Sequence, residues 1–300
     1  MNLRDLEIFV TVAEEKSISK TAEKLSYVQS NISSRIQKLE KTLSVKLFHR
    51  NKNGMILTSE GKILIDYANK ILSVSQEMKE ALNERENPQG KLDIATVETV
   101  IKLPLILSKY NKNFKDVDLT LSTGVTTELR NKVINYELDG AFVTKNINTS
   151  HKHLNEIEVF NERLVLVSDP KFEKISDIIH LPILGFSDGC GYRLKLNEWL
   201  NHERIKPSKV MELGTLETTL GSVISGLGIA YVPYSAVEHY EASGLIKCHD
   251  LPKEFSEIKT SFIYRRENKQ SLALKKFIET IEKAKHEAIS PYYRFKGVTS

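Results

Sequence analysis

The sequence predicts three pieces: an all-α winged helix-turn-helix at the N-terminus, a long helix, and a C-terminal α/β domain. Three observations carry this prediction. A strongly basic window, residues 16–52, coincides with two short back-to-back amphipathic helices and a hairpin signal. An apolar heptad runs from Leu64 to Ala81, and past Gly90 the pattern changes to alternating strands and helices. With 300 residues, the chain exceeds what one hydrophobic core usually serves.

Leu3, Leu6, Phe9, Val10 and Ala13 share one face of a first helix. Ser19 is the expected N-cap of a second, Lys20 to Leu25. Val28 to Leu43 forms a third, with Ile32, Ile36, Leu39 and Leu43 on one face and Ser30, Ser34, Gln37 and Lys41 roughly opposite. The basic window holds Lys16, Lys20, Lys24, Arg35, Lys38, Lys41, Lys46, Arg50 and Lys52 against only Glu23 and Glu40, while the whole chain carries a net charge of +4. A basic module therefore sits on a mildly acidic body. Charge alone would fit any solvated surface. A short polar face on the second helix of a tight pair is, in addition, what a DNA major groove accepts. Gln29 and Arg35 can reach base edges, and the small Ser30, Asn31, Ser33 and Ser34 allow close approach; Lys38 adds charge beside them. Lys20, Arg50 and Lys52 are expected on phosphates. Asn53-Gly54 marks a hairpin turn, which completes a winged helix.

A helical pattern runs from Thr58 to Glu86, ~44 Å of helix. Leu64, Tyr67, Ile71, Val74 and Met78 form its apolar seam. Packing within the monomer would explain the seam; a dimer explains it better, because DNA half-sites usually come in pairs. Pro88 and Gly90 end the helix.

Strand segments follow at KLDIATV (91–97), DLTLSTG (118–124), LDGAFV (138–143), ERLVLVSD (162–169) and IKTSFIYRR (258–266), with helices between them and a last one from Ser271 to about Ala288. This predicts a largely parallel sheet. The end, residues 291–300, has no periodicity and is expected to be disordered. Nothing resembles a catalytic constellation: there is no phosphate-cradling loop and no nucleophile elbow, and GLG at 226–228 reads as a helix-to-strand turn. His151 and His153 are the only close histidine pair, too little for a metal site. Cys190, in SDGCGYR at the start of a helix, reads either as a small residue in a tight turn or as a redox or ligand-contacting thiol, with Cys248 a poor resolving partner. Two cysteines, no signal-peptide pattern and no bilayer-length apolar stretch predict a cytoplasmic chain without membrane contact.

Phe9, SISKTAEKL (17–25), VQSNISSRIQKLE (28–40), KLFHR (46–50) and LTSEG (57–61) fall in the order and spacing of one family. In these motifs the chain resembles the LysR-type transcriptional regulators. One departure is that Ser34 stands where the family often has Arg, with Arg35 one position later. The resemblance implies residues 1–58 as the DNA-binding domain, 59–87 as a linker and dimerisation helix, and 88–290 as an effector domain. That domain would share the two-lobed fold of type 2 periplasmic binding proteins, with lobe I at about 91–162 plus 267–290 and lobe II at about 163–266. The implied partners are promoter DNA, further copies of the chain as a homodimer and then a homotetramer, a small-molecule effector in place of any cofactor, and RNA polymerase. The effector would lie between the lobes, near strand ends and helix starts: Thr96, Thr99, Gly124, Thr126, Thr127, Cys190, Tyr192, Arg193, Thr215 and Leu216. The competing class is an α/β ligand-binding or catalytic protein whose N-terminal helices serve only association.

Overall fold

The computed structural model describes residues 1–51, 54–82, 87–97, 100, 103–144, 152–185, 190–266 and 270–285, the side chains of 77, 80 and 81 aside. The expectations for Lys52, Asn53, Thr99, His151 and the 291–300 tail lie outside these residues. The chain divides into two compact units. One is residues 1–86 with the short segments 135–137 and 269–271, and the other is the remainder.

In the first unit α1 is Leu3–Glu15, α2 Ile18–Lys24 and α3 Gln29–Leu43. Asn2 caps α1 in a reciprocal box with Asp5, each side chain accepting from the other's backbone N–H. Ser17, not Ser19, caps α2: its hydroxyl accepts from Lys20 N, and Thr21 Oγ1 donates back to Ser17 O. The predicted cap was two residues late because Ile18, an apolar residue, opens the helix. Strands β1 (Phe48–Asn51) and β2 (Gly54–Leu57) form the antiparallel wing. Gly54 has φ +102°, and a Cβ there would stand 2.2 Å from the Lys16 carbonyl, whose oxygen accepts from Met55 N. Only glycine seats the wing this closely against the end of α1. The helix α4 is Ser59–Leu82. Thr58 begins it, its hydroxyl accepting from Gly61 N and donating to Lys46 O.

The family-like motifs thus have physical content. The Phe9 and Phe48 rings meet at a tilt of 55° with centroids 5.3 Å apart, in a core with Leu6, Val12, Ile32, Ile36, Leu39, Leu47 and Ala68. Buried Glu40 joins α3 to the wing by accepting from Leu47 N and Lys46 Nζ, both at 2.9 Å. Burial opposes its charge, but these donors outweigh it and hold the carboxyl below its ordinary pKa.

The second unit contains a nine-stranded sheet. Its elements are β3 (Gly90–Thr96), α5 (Leu103–Asn113), β4 (Val117–Thr123), α6 (Thr126–Ile134), β5 (Gly140–Thr144), β6 (Leu154–Ser168), β7 (Ile183–Gly185), α7 (Gly191–His202), β8 (Val210–Glu212), α8 (Leu216–Ile224), β9 (Ile229–Pro233), α9 (Tyr234–Ala242), β10 (Lys247–Asp250), α10 (Lys253–Ser256), β11 (Glu257–Arg265) and α11 (Leu272–Lys285). Strand order is β4-β3-β5-β11-β6-β9-β7-β8, with β10 also on β6. The segment 226–228 is the turn from α8 to β9, as its glycines predicted.

The sheet is mixed rather than largely parallel. Three parallel strands stand at each end, β4-β3-β5 and β8-β7-β9. Between them β6 and β11 run antiparallel to each other and to their outer neighbours β5 and β9. Hydrophobic cores form around each end: one of Leu92, Ile106, Phe142, Phe262, Phe277 and Ile281, the other of Leu164, Leu166, Leu196, Trp199, Ile229 and Val232. These are two lobes sharing two strands. The 15-residue β6 starts at Leu154, eight residues before the predicted strand, and β11 already packs Phe262 and Ile263 into the first lobe. The return crossing therefore falls near 258–260, where β11 begins to pair with β5, rather than at 266. Register slips between Thr260 and Ser261, leaving Val159 of β6 as a bulge.

Candidate nucleic-acid interface and effector cleft

Ile32, Ile36, Leu39 and Glu40 of α3 are buried, which turns Gln29, Ser30, Ser34, Gln37, Lys38 and Lys41 outward. Ser33 is half-buried at the edge of this face; Lys20 on α2 and Arg50 on the wing are exposed beside it. Arg35 differs from expectation. Its Nη1 donates to buried Asp5 at 2.8 Å and its Nε to Asn31 Oδ1 at 3.2 Å. The guanidinium is committed to joining α1 to α3, and the Asn31 carboxamide oxygen is engaged with it. The 3.6-residue period explains this: Arg35 lies about 140° from Ser30, towards the buried stripe. Among the described residues of α3, the outward-facing polar set excludes Arg35.

On α4, Tyr67, Ile71, Val74 and Met78 are exposed at 63%, 40%, 51% and 55%. Leu64 is not part of that row; it packs against the N-terminal core with Ile65 and Leu72. Ile63 and Leu82, both exposed, extend the row at either end.

In the α/β unit, buried Thr126 opens α6, and its Oγ1 lies 3.0 Å from Oγ1 of buried Thr144 and 3.3 Å from Thr144 N. Across from them, α7 of the second lobe brings Gly191 so close that a Cβ there would lie 2.3 Å from Thr144 Oγ1. Thr144 was not anticipated, because the predicted strand ended one residue earlier, at Val143. Thr96 is buried, donates to Val97 O, and accepts at its carbonyl from Gly124 N at 3.2 Å. Half-buried Cys190 is the N-cap of α7.

Other expected contacts diverge from this cluster. Tyr192 is 1% exposed in the core of the second lobe. Arg193 turns to Glu212 of β8, 3.8 Å away. Exposed Thr215 closes on its own helix, accepting from Thr218 N at 3.1 Å, while Leu216 packs against the second-lobe core. Thr127 is exposed on the outer side of α6. Burial, with Glu241 next in effect, pushes the Cys248 thiol up to about 12, so it stays protonated and unreactive. Among the described residues no cluster of His, Cys, Asp and Glu could hold a metal, and no helix is long and apolar enough to cross a membrane.

A winged helix-turn-helix with an outward polar face, on the same chain as a two-lobed α/β domain, is the architecture of a DNA-binding regulator with a separate ligand-binding domain. The bacterial regulatory helix-turn-helix family lysR matches residues 3–62, and the LysR substrate binding domain matches residues 85–285. The chain belongs to the LysR family of transcriptional regulators. It is 47% identical over 288 residues to the HTH-type transcriptional regulator SoxR of Arthrobacter sp. (strain TE1826), covering 96% of this chain and 99% of that protein. Its fold matches a full-length OxyR variant from Pseudomonas aeruginosa (TM-score 0.73, 22% identity, covering 95% and 94% of the two chains). It also matches CbnR complexed with its target DNA (TM-score 0.64, 22% identity, covering 95% and 100%). The relatives are named as transcriptional regulators, and this chain is a regulator rather than an enzyme.

Proposed function

We propose that this regulator reads paired operator half-sites as a dimer and changes its promoter activity when a small polar effector enters the lobe cleft. The carrying observation is the outward face of α3, polar and basic over its whole length above a buried apolar stripe. Gln29, Ser30, Ser33 and Ser34 read bases; Lys20, Lys38 and Arg50 hold phosphates. The exposed row on α4 pairs two copies. The effector is held by Thr126 and Thr144 on one lobe and by the backbone N–H groups at the start of α7 on the other, donors that suit a carboxylate. A DNA complex of a fold relative supports the first part.

The test is the salt dependence of binding to operator duplexes. Lys20→Ala should weaken all sequences alike and reduce the slope of log K against log [salt] by about 1. Sequence-independent binding by the unaltered chain would refute base reading by α3.

A further inference from the structure

We propose that Val28 reads the 5-methyl group of one thymine in each half-site. The proposal rests on α3 as the reading helix and adds a residue with no hydrogen-bonding side chain to its base-reading set.

Val28 is the N-cap of α3, a position where Ser, Thr, Asp and Asn predominate because their side chains accept a helix N–H. Valine makes no such bond here. Asn2, Ser17 and Thr215 do make it for α1, α2 and α8. The isopropyl group is also unburied, with Val28 68% exposed. It therefore serves neither helix capping nor the domain core.

Its position is nevertheless fixed. Ser26 takes a left-handed φ of +57°, and Tyr27 N donates to Ala22 O at 2.8 Å. The Tyr27 hydroxyl accepts from Arg4 Nε at 3.1 Å, and the Arg4 guanidinium lies 5.1 Å from the ring centroid. These bonds hold the turn and aim Val28 off the end of the helix, next to exposed Gln29 and Ser30. The N-terminal residues of a recognition helix are those that meet base edges. In the major groove the apolar feature of a base pair is the thymine methyl, which takes an apolar side chain. An exposed, rigidly placed valine at that end meets this requirement.

The test combines a protein change with a single-group change in DNA. Duplexes are first enriched from a random-sequence pool by the full chain, and dissociation constants are measured for the unaltered chain and Val28→Ser. Each thymine of the enriched site is then replaced singly by deoxyuridine, which removes only the methyl. One thymine per half-site should lose about threefold to tenfold in affinity for the unaltered chain and nothing further for Val28→Ser. Val28→Ser alone should weaken binding by a similar factor, although its hydroxyl supplies the missing cap; thermal melting checks that it is folded. Affinity unchanged by Val28→Ser, or deoxyuridine effects equal in both proteins, overturns the proposal and leaves α3 as the reading helix. Failure of the unaltered chain to enrich any sequence overturns base reading by α3 itself, and the Val28 assignment with it.

Discussion

At the residue scale, the departure of Arg35 from its expected role carries the clearest energetic statement. Asp5 is a buried carboxylate that accepts from Asn2 N and from Arg35 Nη1. Removing the guanidinium leaves that carboxylate undercompensated. Arg35→Ala should therefore lower the stability of the winged helix by about 1–3 kcal/mol in denaturant unfolding, with sequence preference intact where the protein is folded. Asp5→Asn should reproduce the loss of stability. A relaxed base preference in Arg35→Ala without any loss of stability would return Arg35 to the DNA. The sequence showed that an arginine stood near the reading face; it did not show Asp5 beneath it, 30 positions away, because a long-range ion pair leaves no periodic trace.

At the element scale, legibility followed hydrophobic contrast. The core stripe of α3 and the span of α4 were readable because apolar residues recur there with a definite period, and the wing because of its Asn-Gly turn. Other elements were less legible, among them three with little buried surface or none in a regular period. The first half of β6 buries Leu154, Val159 and Phe160 without a period of two, so only its continuously apolar end, 164–167, reads as a strand. In β10 only His249 is fully buried, and in α9 only Val237. Elements with so little buried surface leave almost no signal. Of the residues expected around an effector, Thr126 lies at a helix start as its spacing suggested, whereas Tyr192 turns into the second-lobe core and Arg193 towards Glu212, because adjacent residues on α7 face different neighbours. The row on α4 permits a firm expectation: changing Ile71 and Met78 together to Lys should give monomers by light scattering and abolish binding to paired half-sites, with each copy still folded. Leu64→Lys should instead unfold the N-terminal core, since that side chain packs inward. Unchanged mass in the double variant would exclude this face as the dimer contact.

At the scale of the whole molecule, the proposed effector site draws on both lobes at once, because the Thr126 and Thr144 hydroxyls belong to one and Gly191 to the other. Thr126→Val keeps the shape and removes the hydroxyl, at about 1–3 kcal/mol for a bound oxygen left unpaired. Carboxylate metabolites that raise the melting temperature of the unaltered chain should need about tenfold higher concentration with Thr126→Val, while operator affinity without them stays the same. Equal thermal shifts in both proteins would move the effector away from Thr126.

The two shared strands also have a consequence for synthesis. The second lobe is built from one uninterrupted stretch of chain, about 164–258, whereas the first-lobe core needs Phe277 and Ile281 of the last helix. A chain leaving the ribosome N-terminus first can complete its second lobe while the first still exposes the face that α11 will cover. Assembly order is thus the reverse of sequence order for these lobes, and the cleft is finished only after the closing helix has emerged. The winged helix and α4 have left the ribosome before either lobe is complete, so the N-terminal unit can fold ahead of the domain that closes last.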